Sequence, residues 1–269
     1  MNLQVQNAAP NEGSLNHLEL PRASVRVLAA CARSRLLCVD LGFVDCLAEK
    51  IFEELGGDAI SFGDAELRGS AFRASVLDLL AIDFFSRNGE GLGIGLWPVL
   101  GTRAHRLDVP WVDIDSPEIA RLRRYLMPHR RAWSQIGTRA TEERCLEAVA
   151  RRRGRLLFVL DEATSLGGDA MAHLLDEVSR CAPAGSELLV SYDASAPLRP
   201  TSPLQHGSST EIVLRQRDHT ATLARYPRLR FFDEREYSSE LRTRVAGVNA
   251  IARFNAGIGA PALAHLRVI

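Results

Sequence analysis

The spacing of apolar residues along the chain changes near residue 91. Residues 1–20 are polar and without period, which predicts a flexible N-terminal tail. Over residues 22–55 the apolar positions Val25, Leu28, Ala29, Leu36, Leu37, Cys46, Leu47, Ile51 and Leu55 recur at helical intervals, and Gly56-Gly57 reads as the stop. Residues 70–86 predict a further helix with Val76, Leu80 and Phe84 on one face. From Gly91 onward short β-like runs alternate with helical ones. The runs are 91–97, 109–115 (VPWVDID), 133–138, 155–162 (RLLFVLDE) and 187–194 (ELLVSYDA), with helices expected over 116–127, 140–152 and 168–182. Continuous apolar runs such as LLFVL suit strands covered on both faces of a parallel sheet. The chain ends with a strand expected over 228–237, a helix around VAGVNAIARF and a last strand in ALAHLRVI.

Alternating strand and helix implies right-handed crossovers and a doubly wound sheet. Seven strands closed by an antiparallel edge strand match the class I methyltransferase (Rossmann-like) outline; a flavodoxin-like or NAD-binding Rossmann sheet is the competing reading. The expected organisation is one α/β domain over 21–269, with a helical cap over 21–86 and a sheet core over 91–269.

Composition narrows the chemistry. The chain has 33 basic and 33 acidic residues, so it lacks the cationic surplus that a nucleic-acid partner calls for. Lys50 is its one lysine, set in the helical stretch CLAEKIFEEL, which argues against a P-loop and against pyridoxal phosphate chemistry. Five cysteines without a CxxC pair suggest neither a disulfide framework nor a zinc site. No apolar run is long enough for a bilayer and the N-terminus has no signal-peptide pattern, so a cytoplasmic location without membrane contact is expected.

Ligands of open α/β sheets sit beyond the carboxyl ends of the strands. The second sheet strand ends in Asp113-Ile114-Asp115, and Ser116-Pro117 has the form of an N-cap and first helical residue. Asp113 and Asp115 share a face, and Asp115 lies at the rim. Its carboxylate is placed to accept ribose hydroxyls; the other reading is an anion at a helix N-terminus. Asp161 and Glu162 end the fourth strand at the same edge. Residues 195–222 begin as a Pro/Ser-rich loop, which reads either as a cover for a binding site or as a surface excursion.

Three segments resemble the leucine carboxyl methyltransferase family, in its bacterial polyketide-tailoring branch. FRASVLD (72–78) looks like the family's R-T-x-x-x-D helix, which implies that Arg73 contacts the cofactor's carboxylate. TRAHRLDVPWVDIDSPEIARLRR (102–124) looks like the segment carrying the ribose-binding acid, which falls on Asp115. FVLDEATSLGGDAMAHLLDEVSRCAPAGSELLVSYD (158–193) places a cofactor-lining glutamate on Glu162. The resemblance spans roughly residues 30–269.

Against the family's V-V-n-L-G-a-G-l-D-T-R, an ungapped reading puts Trp97 and Val99 in place of the two glycines and Gly101 in place of the aspartate. A gapped reading restores Gly93 and Gly95. The ungapped register keeps the spacing from Arg73 and is preferred. Ser165 replaces a family tyrosine, and Thr138-Arg139-Ala140 stands where A-D-L is usual.

The resemblance implies S-adenosyl-L-methionine as cofactor, held by Arg73, Gly95, Trp97, Asp115, Thr138, Arg139 and Glu162. The implied reaction is O-methylation of a carboxyl or hydroxyl on a small metabolite. Two alternatives remain open: a cyclase or lyase that releases methylthioadenosine, and a non-catalytic binding protein. His206 and His219 are candidate bases for a hydroxyl acceptor, and Arg199 or Arg215 candidate partners for a carboxylate; each also reads as an ordinary surface residue. Dimerisation through the N-terminal helices is left open.

Overall fold

The change of spacing near residue 91 is a change of architecture. The structure, a computed structural model, describes residues 3–4, 19–37, 44–57, 62–138, 146–151, 154–161, 168–193, 225–231 and 261–269. Strands β1 (Leu3–Gln4) and β2 (Glu19–Leu20) precede helices α1 (Arg22–Ala32), α2 (Ser34–Leu37), α3 (Cys46–Glu54) and α4 (Asp64–Arg87). Then follow β3 (Leu92–Leu96), α5 (Arg103–Arg106), β4 (Trp111–Asp115), α6 (Pro117–Leu126), β5 (Trp133–Gly137), α7 (Glu147–Ala150), β6 (Leu156–Leu160), α8 (Gly168–Cys181), β7 (Glu187–Asp193), β8 (Leu229–Phe231) and β9 (Pro261–Val268). The sheet has seven strands in the order β5-β4-β3-β6-β7-β9-β8. This is an α/β fold, mostly parallel, with antiparallel pairing at one end, as the sequence predicts. The chain divides into two compact units, Met1–Arg139 and Ala140–Ile269.

In the first unit, α1 packs on α3 and α4, burying Leu28, Ala29, Ile51, Phe52, Leu67, Leu77 and Phe84. Asp45 caps α3 by accepting from the Ala48 N–H at 2.9 Å. Gly56, at φ +67°, ends the helix in the left-handed conformation that glycine adopts without a steric penalty. Helix α4 begins at Asp64, earlier than the predicted Ser70, with Asp64 and Glu66 favourable in its first turn. The segment predicted as a flexible tail is tied down at its ends: Leu3 pairs with Leu20 and Gln4 with Glu19, and Leu20 is buried.

Strands β3, β4 and β5 run parallel, with Gly95 opposite Asp113 and Asp113 opposite Gln135. The two glycines of β3 make room for the next strand. A Cβ on Gly93 would lie 2.0 Å from the Trp111 ring, and one on Gly95 would lie 2.1 Å from Oδ1 of Asp113. Side chains at the same register position in parallel strands share a face, so a bulky residue on β4 needs a bare position on β3.

In the second unit all five residues of β6 are buried. Strand β6 pairs in parallel with β7. Strand β9 pairs antiparallel with β7 along the whole length of β7, and β8 pairs antiparallel with β9. The reversed strand predicted at the chain's end is therefore present, and it lies second from the edge, with β8 outside it. Glu187 sets this register: Nη2 of Arg267 donates to its Oε1 at 3.1 Å, and Nε2 of His265 lies 3.0 Å from its Oε2. The remainder of the strand predicted over 228–237, and the helix around VAGVNAIARF, lie outside the described residues.

Among the described residues no helix is long and apolar enough to cross a membrane, and no group of His, Cys, Asp and Glu side chains could hold a metal ion.

The packing over β3 leads to a test. Gly95→Ala drives a methyl into an Asp113 carboxylate that is already fixed by neighbours, and overpacking of this kind costs about 1–3 kcal/mol. The exposed Gly89, whose added Cβ would meet nothing within 4 Å, gives a near-neutral control as Gly89→Ala. Urea denaturation of the two variants checks the difference.

Candidate functional site

The carboxyl ends of β3 and β4 meet at one loop, residues 97–101. Strand β3 stops where the chain turns left-handed twice: φ is +46° at Trp97 and +49° at Val99. Both residues carry a Cβ that disfavours this region, and Val99 is β-branched. Trp97 also precedes Pro98, which normally pushes a residue toward extended backbone. Pro98 to Gly101 form a turn closed by the Gly101 N–H on the Pro98 carbonyl at 2.6 Å. Val99 occupies the turn position that takes a positive φ, where glycine is the usual residue. Each such residue stores on the order of 1–3 kcal/mol of strain and persists only where its surroundings hold it.

The surroundings hold it on every side. The Trp97 N–H donates to the Ile114 carbonyl at 2.7 Å, extending the β3–β4 ladder. The Val99 N–H donates to Oδ2 of Asp115 at 2.7 Å. Nη1 of Arg123 donates to the carbonyls of Val99 at 2.8 Å and Gly101 at 2.9 Å. Arg123 is fully buried, and its Nη2 pairs with Oδ2 of Asp113. Asp113 also accepts from the indole N–H groups of Trp111 at 2.9 Å and Trp133 at 2.7 Å. One carboxylate thus accepts from an arginine and two tryptophans inside the sheet layer.

Asp115 ends β4, as the Ser116-Pro117 cap requires. Ser116 Oγ accepts from the Ile119 N–H at 3.3 Å and Pro117 occupies the first helical turn of α6. The Ser116 N–H donates to Oδ1 of Asp115 at 2.8 Å. The Thr138 N–H, just past β5, donates to the Asp115 carbonyl at 2.8 Å. Asp115 is 3% exposed. Burial pushes its carboxyl up to about 6; Arg123 and the two backbone N–H donors oppose that shift without cancelling it. The carboxylate therefore serves both readings open in the sequence in one respect: it touches the helix N-terminus through Ser116, and it stands at the strand rim with lone pairs to spare.

A second buried network lies behind the loop. Asp45 Oδ2 accepts from Thr102 Oγ1 and from Arg106. Asp78 accepts from Nε of Arg103 at 2.8 Å and Nε of Arg106 at 2.6 Å. The aspartate of the R-T-x-x-x-D-like helix thus anchors the segment following the loop.

The structure brings Trp97, Asp115 and Thr138 to one place, at adjacent strand ends. Gly95 lies in β3 below Asp113, and packing accounts for its lack of a side chain. The left-handed positions are Trp97 and Val99, where the ungapped register puts the family's glycines. Arg73 is buried on α4, on the same helix as Asp78. Asp161, at the end of β6 in the second unit, accepts from Ser191 Oγ at 2.8 Å. Arg139, Glu162, Ser165, Arg199, His206, Arg215 and His219 lie outside the described residues.

The sequence reading did not single out Arg123. Its signal was spacing: it falls four residues after the buried Ile119, on the inner face of α6. An aspartate in the middle of a strand covered on both sides also calls for a cation.

No protein-family model matches the chain. It is 31% identical over 159 residues to the tetracenomycin polyketide synthesis O-methyltransferase TcmP of Streptomyces glaucescens, a match covering 57% of this chain and 58% of that protein. The matched region is thus less than two thirds of the relative's length. Among solved structures, human N-acetylserotonin methyltransferase in complex with SAM aligns at TM-score 0.43 and 12% identity, over 82% of this chain and 59% of that one. An O-methyltransferase family protein from Burkholderia thailandensis aligns at TM-score 0.42 and 10% identity, over 82% and 71% of the two chains.

Two expected outcomes follow from this geometry. Arg123→Met leaves the Asp113 carboxylate buried without its cation and frees the loop carbonyls, a change that costs about 3–5 kcal/mol; equilibrium denaturation measures it. For Asp115, a folded-state pKa above the usual carboxylate value means that the folded state binds the proton more tightly than the unfolded chain. Its contribution to stability therefore rises as pH falls through about 6. Relative to Asp115→Asn, the wild-type protein should gain on the order of 1 kcal/mol between pH 7.5 and pH 5. The difference between the two melting curves isolates this group from other titrating residues, among them His105, which burial shifts downward.

Proposed function

We propose that the chain is an S-adenosylmethionine-dependent O-methyltransferase that acts on a carboxyl or hydroxyl group of a small, secondary-metabolite-like molecule. The observation that carries the reading is the carboxylate of Asp115 at the carboxyl end of β4, hydrogen-bonded to a tight left-handed loop after β3. The similarity to a polyketide O-methyltransferase supports the reaction class.

The donor set fits a nucleoside. Each Asp115 oxygen accepts one backbone N–H, and a carboxylate oxygen can accept a second bond. The vicinal hydroxyls of a ribose supply two O–H donors for this carboxylate. Ionised Asp115 would orient the sugar, Trp97 and Val99 would line its approach, and Thr138 would border the base side. Arg73, Arg139 and Glu162 complete the proposed set on the strength of the family resemblance. The cofactor, when bound, supplies an electrophilic methyl group on a sulfonium. The protein's part is alignment and exclusion of water. A carboxylate acceptor is ionised at neutral pH and needs no base, whereas a hydroxyl acceptor needs one.

Two left-handed residues other than glycine favour a second reading, in which the same cofactor is cyclised or cleaved to methylthioadenosine. Isothermal titration calorimetry and product analysis separate these readings. Methyltransferase function predicts binding of S-adenosylmethionine, binding weakened about 10- to 100-fold in Asp115→Ala, and release of S-adenosylhomocysteine when a carboxyl or hydroxyl acceptor is present. Methylthioadenosine formed without an acceptor assigns the cyclase or lyase reaction. No binding by the intact chain overturns both.

A further inference from the structure

The strained loop carries one polar group that the internal hydrogen bonding leaves aside. Trp97 is half-buried, yet its indole Nε1 is enclosed and, among the described residues, is one of the few buried side-chain polar atoms without a hydrogen-bond partner. The chain's other two tryptophans behave differently: Trp111 and Trp133 both donate to Asp113. A buried indole N–H without an acceptor is unfavourable, and native structures rarely keep one without a reason.

The backbone allows Trp97 little freedom to escape. Its N–H is held by the Ile114 carbonyl, its φ is +46°, and Pro98 follows it. An unfavourable backbone and an unsatisfied donor therefore coincide at one residue, at the carboxyl end of a parallel strand, on the loop that Asp115 clasps.

We propose that the Trp97 indole N–H is a ligand-binding donor, which completes its hydrogen bond on an oxygen acceptor of the bound S-adenosyl compound. Trp97 thereby substitutes a specific side-chain contact for the close backbone approach that glycine would permit. The inference rests on the cofactor reading above and adds to it a role for the indole nitrogen itself. The acceptor oxygen belongs either to the nucleoside or to the amino-acid end of the ligand.

The test uses the full chain labelled with 15N-tryptophan, whose three indole N–H signals come from Trp97, Trp111 and Trp133. Trp97→Phe keeps the ring's bulk and removes the N–H, so the signal it abolishes is that of Trp97. S-adenosylhomocysteine is then titrated into the wild-type protein, with calorimetry in parallel. The Trp97 signal is expected to move downfield, toward hydrogen-bonded indoles, and Trp97→Phe to bind about tenfold more weakly. The same shift with methylthioadenosine, which lacks the amino-acid end, places the acceptor on the nucleoside. A shift with S-adenosylhomocysteine alone places it on the amino-acid end. Measurable heat of binding with an unmoved Trp97 signal overturns the indole's role and leaves the cofactor reading standing. Absence of any heat overturns the cofactor reading and this inference with it.

Discussion

The first unit is organised around a buried cation. The Arg123 guanidinium, fully removed from water, could not remain charged in the interior without partners. It finds them in the Asp113 carboxylate and two loop carbonyls. That one group therefore joins helix α6, strand β4 and the turn after β3. The tryptophans on either side bring two further donors to Asp113, so the carboxylate is well satisfied in a low-dielectric setting where partial satisfaction would be costly. The glycines of β3 follow from this arrangement, because the carboxylate and the Trp111 ring occupy the space above them.

The same cation explains how the loop keeps its conformation. Val99 is gripped through its carbonyl by Arg123 and through its N–H by Asp115. A β-branched residue left to itself would abandon a positive φ; held at both polar ends of its backbone, it cannot. Strain in this loop is thus balanced by hydrogen bonds that originate on β4 and α6. The raised pKa of Asp115 has the same origin, since a carboxylate placed under a loop is a carboxylate deprived of solvent.

Much of this framework was legible in the sequence, for local reasons. Ser116-Pro117 announced the end of β4, Gly56 the end of α3, and the LLFVL run a doubly covered strand, because each is encoded by neighbouring residues. The role of Gly95 was not legible in this way. A glycine near a strand end suggests ligand approach, whereas its cause sits on another strand, in Asp113. The short helix α5 escaped notice because its residues are held by Asp45 and Asp78 from distant helices rather than by their own periodicity. Arg123 was hidden by abundance: in a chain whose cations are nearly all arginine, no single one stands out until its burial is known. Candidate residues at 139, 162, 199, 206, 215 and 219 lie outside the described residues.

The placement of β9 has a consequence for the order in which the sheet can form. Strand β8 is followed in the chain by β9, yet β9 lies between β7 and β8. Among the described strands, β7 presents an open edge and β8 has no strand to pair with until residues 261–268 arrive. A nascent chain that has released β7 from the ribosome therefore carries an unpaired edge, of the kind that invites pairing with other chains. Glu187, whose carboxylate waits for Arg267 and His265, places a charge on that edge in the interval, where it can discourage a stray strand from docking first.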